Sequence, residues 1–285
     1  MGIDLHIHSS ASDGSLSPAE ILSEAEALGL EAISITDHDT LAGSKAARQL
    51  DRRSTVSVLT GVEISTAPPP PAPFSGSLHI LGYGFQLNDF KLNQILLTLQ
   101  QARANRNPEI LKCLSRLGID VTIEEIVQAV GNGQIGRPHI AQVLVLKGFV
   151  SSIDEAFDRY LGQGKPAYVD KYRISCSEAL DTVLAAGGIP VLAHPYLLNI
   201  GNKNDLEQFI VSLKHLGLKG IEVYYPEHPP EETHLYEYLA AKHALLMTGG
   251  TDFHGSIKPG IQMGIGDGDF HVPYSLYEKL AADLA

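Results

Sequence analysis

The chain contains no tryptophan, only two cysteines, and few aromatic residues (7%). Cys113 and Cys176 stand in unrelated contexts, which excludes a Cys-x-x-Cys zinc or redox motif and argues against a structural disulfide. Both are expected to be small, buried or half-buried residues. No apolar run approaches the length of a membrane span, and the first residues carry no basic segment followed by a cleavage site. The chain is therefore expected to begin at Met1 and to reside in the cytoplasm. Positive charge is scarce as well: 21 Lys and Arg against 33 Asp and Glu leave a formal net charge of −12. That balance argues against a broad electrostatic grip on nucleic-acid backbone. A nucleotide substrate stays open, because bound cations reverse the sign of a local field.

What the chain does have is an ordinary globular composition, with 44% hydrophobic residues over 285 positions, enough for one large domain or one domain with an insertion. Short β-branched runs alternate with amphipathic stretches, the pattern of βα units around a mostly parallel sheet or barrel. Strands are expected at Ile3–Ile7, Ala32–Thr36, Val56–Ile64, Leu78–Gly82, Ile189–Ala193, Gly220–Tyr224 and Leu245–Thr248. Capping signals mark helix starts at Ser17–Glu20 and Ser175–Glu178, and Gly29 and Gly187 mark the ends of those helices. From about Asn88 to about Gly162 the periodicity is helical almost throughout, with further starts at Thr122–Glu125 and Ser152–Glu155. This places a helical cap over residues 96–169, inserted into a barrel formed by residues 1–95 and 170–285. The Pro68–Pro73 tract reads as a stiff loop between two strands. Gly131–Gly136 spells Gly-x-Gly-x-x-Gly but follows a helix signal, so it lacks the strand–turn–helix context of a dinucleotide fingerprint.

Twelve histidines are present, and position matters more than number. His6, His8, His38, His79, His194 and His254 lie on or just after expected strands, as do Asp13, Asp37, Asp39, Glu63 and Asp252. In α/β barrels the reactive groups gather at the C-terminal ends of the strands. His6 and His8 are two apart on one strand and share a face, so both imidazoles can grip one metal ion. Glu63 interrupts a β-branched run where an unpaired carboxylate is costly. His79 and His194, taken singly, would read as hydrogen-bonded core histidines; it is the convergence of segments that points to a metal site. His215, His234, His243 and His271 fall in helical or tail contexts and read as surface residues.

The blocks Asp4-Leu5-His6-Ile7-His8, Ser12-Asp13-Gly14, Thr36-Asp37-His38-Asp39, Gly61-Val62-Glu63, Leu78-His79-Ile80, Ala193-His194-Pro195 and Asp252-Phe253-His254 together resemble the PHP (polymerase and histidinol phosphatase) domain phosphoesterases. The resemblance implies a distorted (β/α)7 barrel and three divalent ions, Mn²⁺, Fe²⁺ or Zn²⁺. It assigns one ion to His6, His8, Glu63 and Asp252, a second to Glu63, His79 and His194, and a third to Asp13, His38 and His254. Asp13, His38, Glu63 and His254 would be the catalytic group, with a metal-bridging hydroxide as nucleophile. Asp4, Asp37 and Asp39 would stand behind the ligands and orient their imidazoles.

Within the family, the chain looks closest to phosphatases of nucleoside 3′,5′-bisphosphates, some relatives of which shorten oligonucleotides from the 5′ end. The implied partner is a small phosphorylated nucleotide or a short oligonucleotide, with no membrane and no obligate protein partner. Arg137 is the expected phosphate clamp, since a guanidinium binds phosphate through two parallel hydrogen bonds, although as a helix-start residue it could equally be solvated. His139 and His228 are weaker candidates for substrate contact. The rival readings are a histidinol-phosphate phosphatase, a C–N hydrolase on a similar barrel, and a non-enzymatic metal-binding module.

Overall fold

The computed structural model describes residues 2–50, 54–70, 76–131 and 133–284. Seven strands form one path: β1 (Ile3–Ile7), β2 (Ala32–Ile35), β3 (Ser57–Ala67), β4 (Leu78–Tyr83), β6 (Ile189–Leu192), β7 (Gly220–Tyr224) and β8 (Leu246–Gly249), adjacent in that order. A two-residue strand, β5 (Ile174–Ser175), pairs parallel to the end of β3 and was not anticipated. Two residues carry too little pattern to be read as a strand. The path nearly closes, because Ile7 bridges Phe253 just beyond β8 and the His8 N–H donates to the Phe253 carbonyl at 2.9 Å. Gly250 makes that seam possible: a Cβ there would lie 2.3 Å from the His6 nitrogen.

All neighbouring pairs on the path are parallel except those of β4, which runs antiparallel to both β3 and β6. This reversal is the distortion of the barrel. It also explains why His79 stands near the start of its strand, whereas Glu63 and His194 lie toward or after the ends of theirs. The end of β3 and the start of β4, which the Ala67–Leu78 connection joins, lie at the same end of the barrel as these residues. Pro71 to Pro73 of the proline tract, and Asn132 of the glycine-rich segment, lie outside the described residues.

The helices follow their sequence signals. α1 (Pro18–Ala27) has a complete capping box from Ser17 and Glu20, and α4 (Ile123–Val130) has one from Thr122 and Glu125. Such caps satisfy backbone N–H groups that a helix start leaves unpaired, each worth about 1 kcal/mol. Gly29 and Gly187 follow α1 and α7 (Cys176–Ala185) with φ of 68° and 83°. The helical middle comprises α3 (Phe90–Arg116), α4, α5 (Arg137–Leu146) and the short α6 (Ile153–Ala156), which runs into a π-helical turn, Phe157–Leu161. No β-strand falls between Phe90 and Gly162 among the described residues.

α3 belongs to two cores. Leu92, Leu96 and Leu99 pack with β3, β4 and α7, whereas Ile110 and Leu114 pack with α4, α5 and Ala167 in a separate cluster. A division of the chain at residue 95 thus falls inside one continuous helix. The remaining helices, α2 (Ala42–Leu50), α8 (Lys203–His215), α9 (Pro230–Lys242) and α10 (Tyr274–Asp283), stand around the barrel strands. Among the described residues no helix is long and apolar enough to cross a membrane.

Candidate active site

Glu63 stands at the centre of the rim, 1% exposed, with five imidazoles around it. Its Oε1 lies 2.7 Å from His79 Nδ1 and 3.0 Å from His194 Nε2. Its Oε2 lies 2.8 Å from His38 Nδ1, 3.2 Å from His8 Nε2 and 3.5 Å from His6 Nε2. Asp252 closes the other side, with Oδ1 at 3.3 Å from His6 Nε2 and 3.1 Å from His8 Nε2. Asp13 faces His8 Nδ1 at 3.6 Å, His38 Nε2 at 3.8 Å and His254 Nε2 at 3.5 Å.

The donor atoms fall into three groups, each within 4.8 Å of one another: His6, His8, Glu63 and Asp252; His38, Glu63 and His79; and His8, Asp13, His38 and His254. The first matches the expected ligand set. In the second and third, His38 and His8 join in addition, because each presents opposite ring nitrogens to two groups. A neutral imidazole has one free lone pair, so each ring serves one ion at a time. His194, expected in the second set, falls in none of the three groups; its Nε2 lies 3.0 Å from Glu63 Oε1 and 3.4 Å from His79 Nδ1.

The chemistry of the set suits divalent ions. Asp13 Oδ1, Glu63 Oε2 and His38 Nδ1 are buried and meet neighbouring ligand side chains at ion-pair distances but outside hydrogen-bond geometry, an arrangement that is costly for polar atoms unless a ligand completes it. Nitrogen and oxygen donors without thiolate fit Mn²⁺, Fe²⁺ or Zn²⁺. Burial alone would raise Glu63, but the imidazoles of His38, His79 and His6 hold it well below the usual carboxylate range. Burial lowers His79 to about 4 although Glu63 pulls it up. Asp39, His194 and Asp252 adopt left-handed backbone, with φ of 55°, 24° and 53°. Such strain costs about 1–3 kcal/mol per residue and gathers where function holds it.

Asp4, Asp37 and Asp39 do stand behind the cluster, but they do not hydrogen-bond the imidazoles. Asp4 accepts from Thr251 N and Oγ1, Gly264 N and His6 N, pinning β1 to the loops after β8. Asp37 accepts from Ser9 N and Oγ and from Ser12 Oγ, fixing the loop that carries Asp13. Asp39 accepts from Arg103, Lys171 and Ser65. Asp4 sits inside β1 and Asp37 and Asp39 just after β2, and all three brace backbone, hydroxyls or cations instead. The carboxylate that does orient an imidazole is Glu222 on β7, fully buried, whose Oε1 is 2.8 Å from His6 Nδ1. Sequence reading assigned it no role, although a glutamate inside Gly220–Tyr224 carries the same burial penalty as Glu63.

Beside the metal groups lies a cavity of about 210 Å³, lined by Asp13, His38, His79, Ser65, Ser77, Pro138 and Phe157 together with Arg103, Arg106, Arg137, Arg173 and Lys171. Arg137 lines this cavity as a half-buried side chain. Its NH1 donates to the Leu161 carbonyl at 2.9 Å, and its guanidinium lies between the rings of Phe157 and Tyr168. The other four cations were missed, since they are scattered over α3 and the segment before β5 and read singly as surface charge. Arg103 and Lys171 share Asp39, and Arg173 pairs with Asp170. Arg106 is 6% exposed, and its Nε and one terminal nitrogen have no partner. Burial first, then Arg103, Arg137 and Arg173, lower it to about 9.

His139 and His228 do not line this cavity. His139 Nδ1 accepts the Gly136 N–H at 3.1 Å and caps α5. His228 donates from Nδ1 to the Val223 carbonyl at 2.9 Å and packs against Tyr225 and Tyr236. Among the surface histidines, His243 is half-buried and paired with Glu207 at 2.7 Å; the other three are exposed.

A distorted α/β barrel with a His, Asp and Glu cluster on its rim is the frame of a metal-dependent hydrolase. The chain belongs to the PHP domain family, whose pattern matches residues 4–258, and it is a metal-dependent phosphoesterase. It is 35% identical over 252 residues to a 5′-3′ exoribonuclease of Haemophilus influenzae, covering 88% of this chain and 89% of the relative. It is 31% identical over 263 residues to the 3′,5′-nucleoside bisphosphate phosphatase of Chromobacterium violaceum, covering 92% and 90%. Among solved structures, one from Bifidobacterium adolescentis assigned as a metal-dependent phosphoesterase superposes with a TM-score of 0.87 at 27% identity, covering 99% of this chain and 96% of the other. A structure described as an amidohydrolase from Chromobacterium violaceum, with bound sulfate and no metal, gives 0.87 at 30% identity, covering 99% and 97%.

Proposed function

We propose that the protein removes the 3′-phosphate from nucleoside 3′,5′-bisphosphates, with up to three Mn²⁺, Fe²⁺ or Zn²⁺ ions held by His6, His8, Asp13, His38, Glu63, His79, His194, Asp252 and His254. The observation that carries this reading is the cation cavity beside the cluster. Five cationic side chains line it, and the carboxylates that pair with three of them are Asp39 and Asp170; among the described residues this leaves Arg137 and Arg106 without a counter-ion, and Arg106 also has two nitrogens without a hydrogen-bond partner. A buried unpaired guanidinium is costly unless an anion arrives to meet it. The scissile phosphate sits at the ions, so the surplus charge suits a second phosphate on the same small molecule. The ions supply Lewis-acid charge neutralisation and acidify water at neutral pH. Asp13, His38, Glu63 and His254 surround the reacting phosphate, Arg137 and Arg106 hold the distal one, and residues 96–169 act as the cap that carries the arginines of α3 and α5 over the site.

A second reading, 5′-to-3′ trimming of short oligonucleotides, is favoured by an adjoining cavity of about 500 Å³ that shares Ser77, Arg137, Phe157 and Arg173 with the first. It offers room for a further nucleotide. The test is phosphate release by metal-reconstituted protein from nucleoside 3′,5′-bisphosphate, nucleoside 3′-monophosphate, histidinol phosphate and short RNA. The proposal expects the bisphosphate to have the highest kcat/KM. Equal kcat/KM for the bisphosphate and the 3′-monophosphate would remove it, and shortening of RNA in preference to both would install the second reading.

A further inference from the structure

We propose that Lys171 is the general acid that protonates the departing alkoxide as the phosphate ester breaks. The inference rests on the phosphatase reading above and adds a catalytic residue to it. An alkyl ester expels a strongly basic oxygen, which needs a proton in the transition state. Several side chains that line the cavity carry an N–H or O–H. The four guanidiniums hold their protons more firmly, Arg106 included although burial lowers it to about 9. His38 and His79 are committed to the ligand groups around Glu63. The hydroxyls of Ser65 and Ser77 are too weakly acidic. The ammonium of Lys171 remains.

Its geometry fits the task. The side chain is 6% exposed, and Nζ donates to Asp39 Oδ2 at 2.9 Å and to Ser65 Oγ at 2.9 Å. An ammonium has three N–H groups, so one stays uncommitted in a side chain that lines the cavity. Ser65 is two residues beyond Glu63 on the same face of β3, which sets the anchoring hydroxyl about 7 Å along the strand from the centre of the ligand cluster. Burial, with Arg103 and Arg106, lowers the ammonium to about 8 although Asp39 pulls it up, close to the pH at which a general acid is most effective.

The step balances. The bond from phosphorus to the ester oxygen breaks with its electron pair left on oxygen, and that oxygen takes a proton from Nζ. Water supplies the new oxygen of inorganic phosphate. One hydrogen of that water stays on the phosphate, and the other returns through solvent to the neutral amine. Arg103 and Arg106 favour the neutral amine while it lasts, since they repel its charged form.

The experiment compares two esters on metal-reconstituted Lys171→Ala and Lys171→Arg: adenosine 3′,5′-bisphosphate, and para-nitrophenyl phosphate, whose leaving group needs no proton. Both variants are expected to lose about a hundredfold or more in kcat on the alkyl ester. The loss on the aryl ester should be at least about tenfold smaller, and ethylamine should restore alkyl-ester turnover to Lys171→Ala. Lys171→Arg keeps the charge beside Asp39, so it answers even where the alanine variant fails to fold. Equal losses on both esters, or an arginine variant as active on the bisphosphate as the unmodified protein, would overturn the proposal. An unmodified protein inactive on both esters would instead overturn the phosphatase reading and this inference with it.

Discussion

His6 places Nδ1 2.8 Å from Glu222 Oε1, and the other oxygen of Glu222 accepts the backbone N–H of His194 at 2.7 Å. One buried carboxylate thus sets the ring orientation of one ligand and the backbone position of another. With Nδ1–H committed to Glu222, the lone pair of His6 Nε2 is left for the ion beside Glu63 and Asp252. Glu222→Gln is expected to lower metal affinity about 10–100-fold, read by metal titration with the fold checked by circular dichroism. Unchanged affinity would remove Glu222 from the metal-supporting residues.

Glu63 belongs to two of the three donor groups, whereas Asp252 belongs to one. Glu63→Ala is therefore expected to abolish turnover and to lower bound metal by more than Asp252→Ala does. Metal content by elemental analysis, alongside phosphate release, checks the order.

How far these residues could be read from sequence follows from the physics of each. His6 and His8 were legible because a strand repeats every two residues, so their shared face needs no tertiary knowledge. The helix starts were legible because a capping box is local. Glu222 was not read, because its partners are 216 and 28 residues away along the chain. Arg103 and Arg106 sit in a helix whose sequence says nothing of which side faces the barrel, and Lys171 lies in a segment without periodicity. The roles expected of Asp4, Asp37 and Asp39 went astray for the related reason that a buried carboxylate on or just after a strand can brace either backbone or ring, and only the fold decides.

Arg106→Met tests the cation cavity. Loss of a charged hydrogen-bond donor should raise KM for a 3′,5′-bisphosphate about 10–100-fold, with a much smaller change for a 3′-monophosphate. Removing a buried unpaired cation should also stabilise the free protein by about 1 kcal/mol or more, seen as a higher thermal midpoint. A lower midpoint would mean that Arg106 has a structural partner.

Asp39 lies between Arg103 and Lys171, each within 2.9 Å of Oδ2. Burial would raise it, but Lys171 and Arg103 hold it well below the usual carboxylate range. Asp39→Asn leaves both cations uncompensated and is expected to cost about 3–5 kcal/mol of stability in denaturant unfolding. A loss below about 1 kcal/mol would show that solvent already screens the triad.

His228 gives a pH signature away from the ligand cluster. Burial lowers its imidazole to about 4, below the ordinary 6.5, so the folded state holds the ring neutral. Its contribution is therefore present above pH 6.5 and is lost as the pH falls toward about 4, where the unfolded chain takes up the proton first. His228→Phe removes this dependence. In chelated protein, the stability of wild type relative to the variant should fall by about 2 kcal/mol between pH 6.5 and about pH 5. A constant difference over that range would mean that the ring titrates normally.

The antiparallel run of β4 bears on how such a barrel can diversify. In an ordinary βα repeat the crossover after a strand must return to the far end before the next strand begins, so each rim loop is tied to a helix. Between β3 and β4 no return is needed, and the connection both leaves and re-enters on the mouth, where Ala67, Pro68, Gly76 and Ser77 line the larger cavity. Lengthening or replacing that connection would remodel the approach to the metals without re-registering a strand or moving a helix. It is the natural graft point for altering substrate length, and the barrel itself would not register the change.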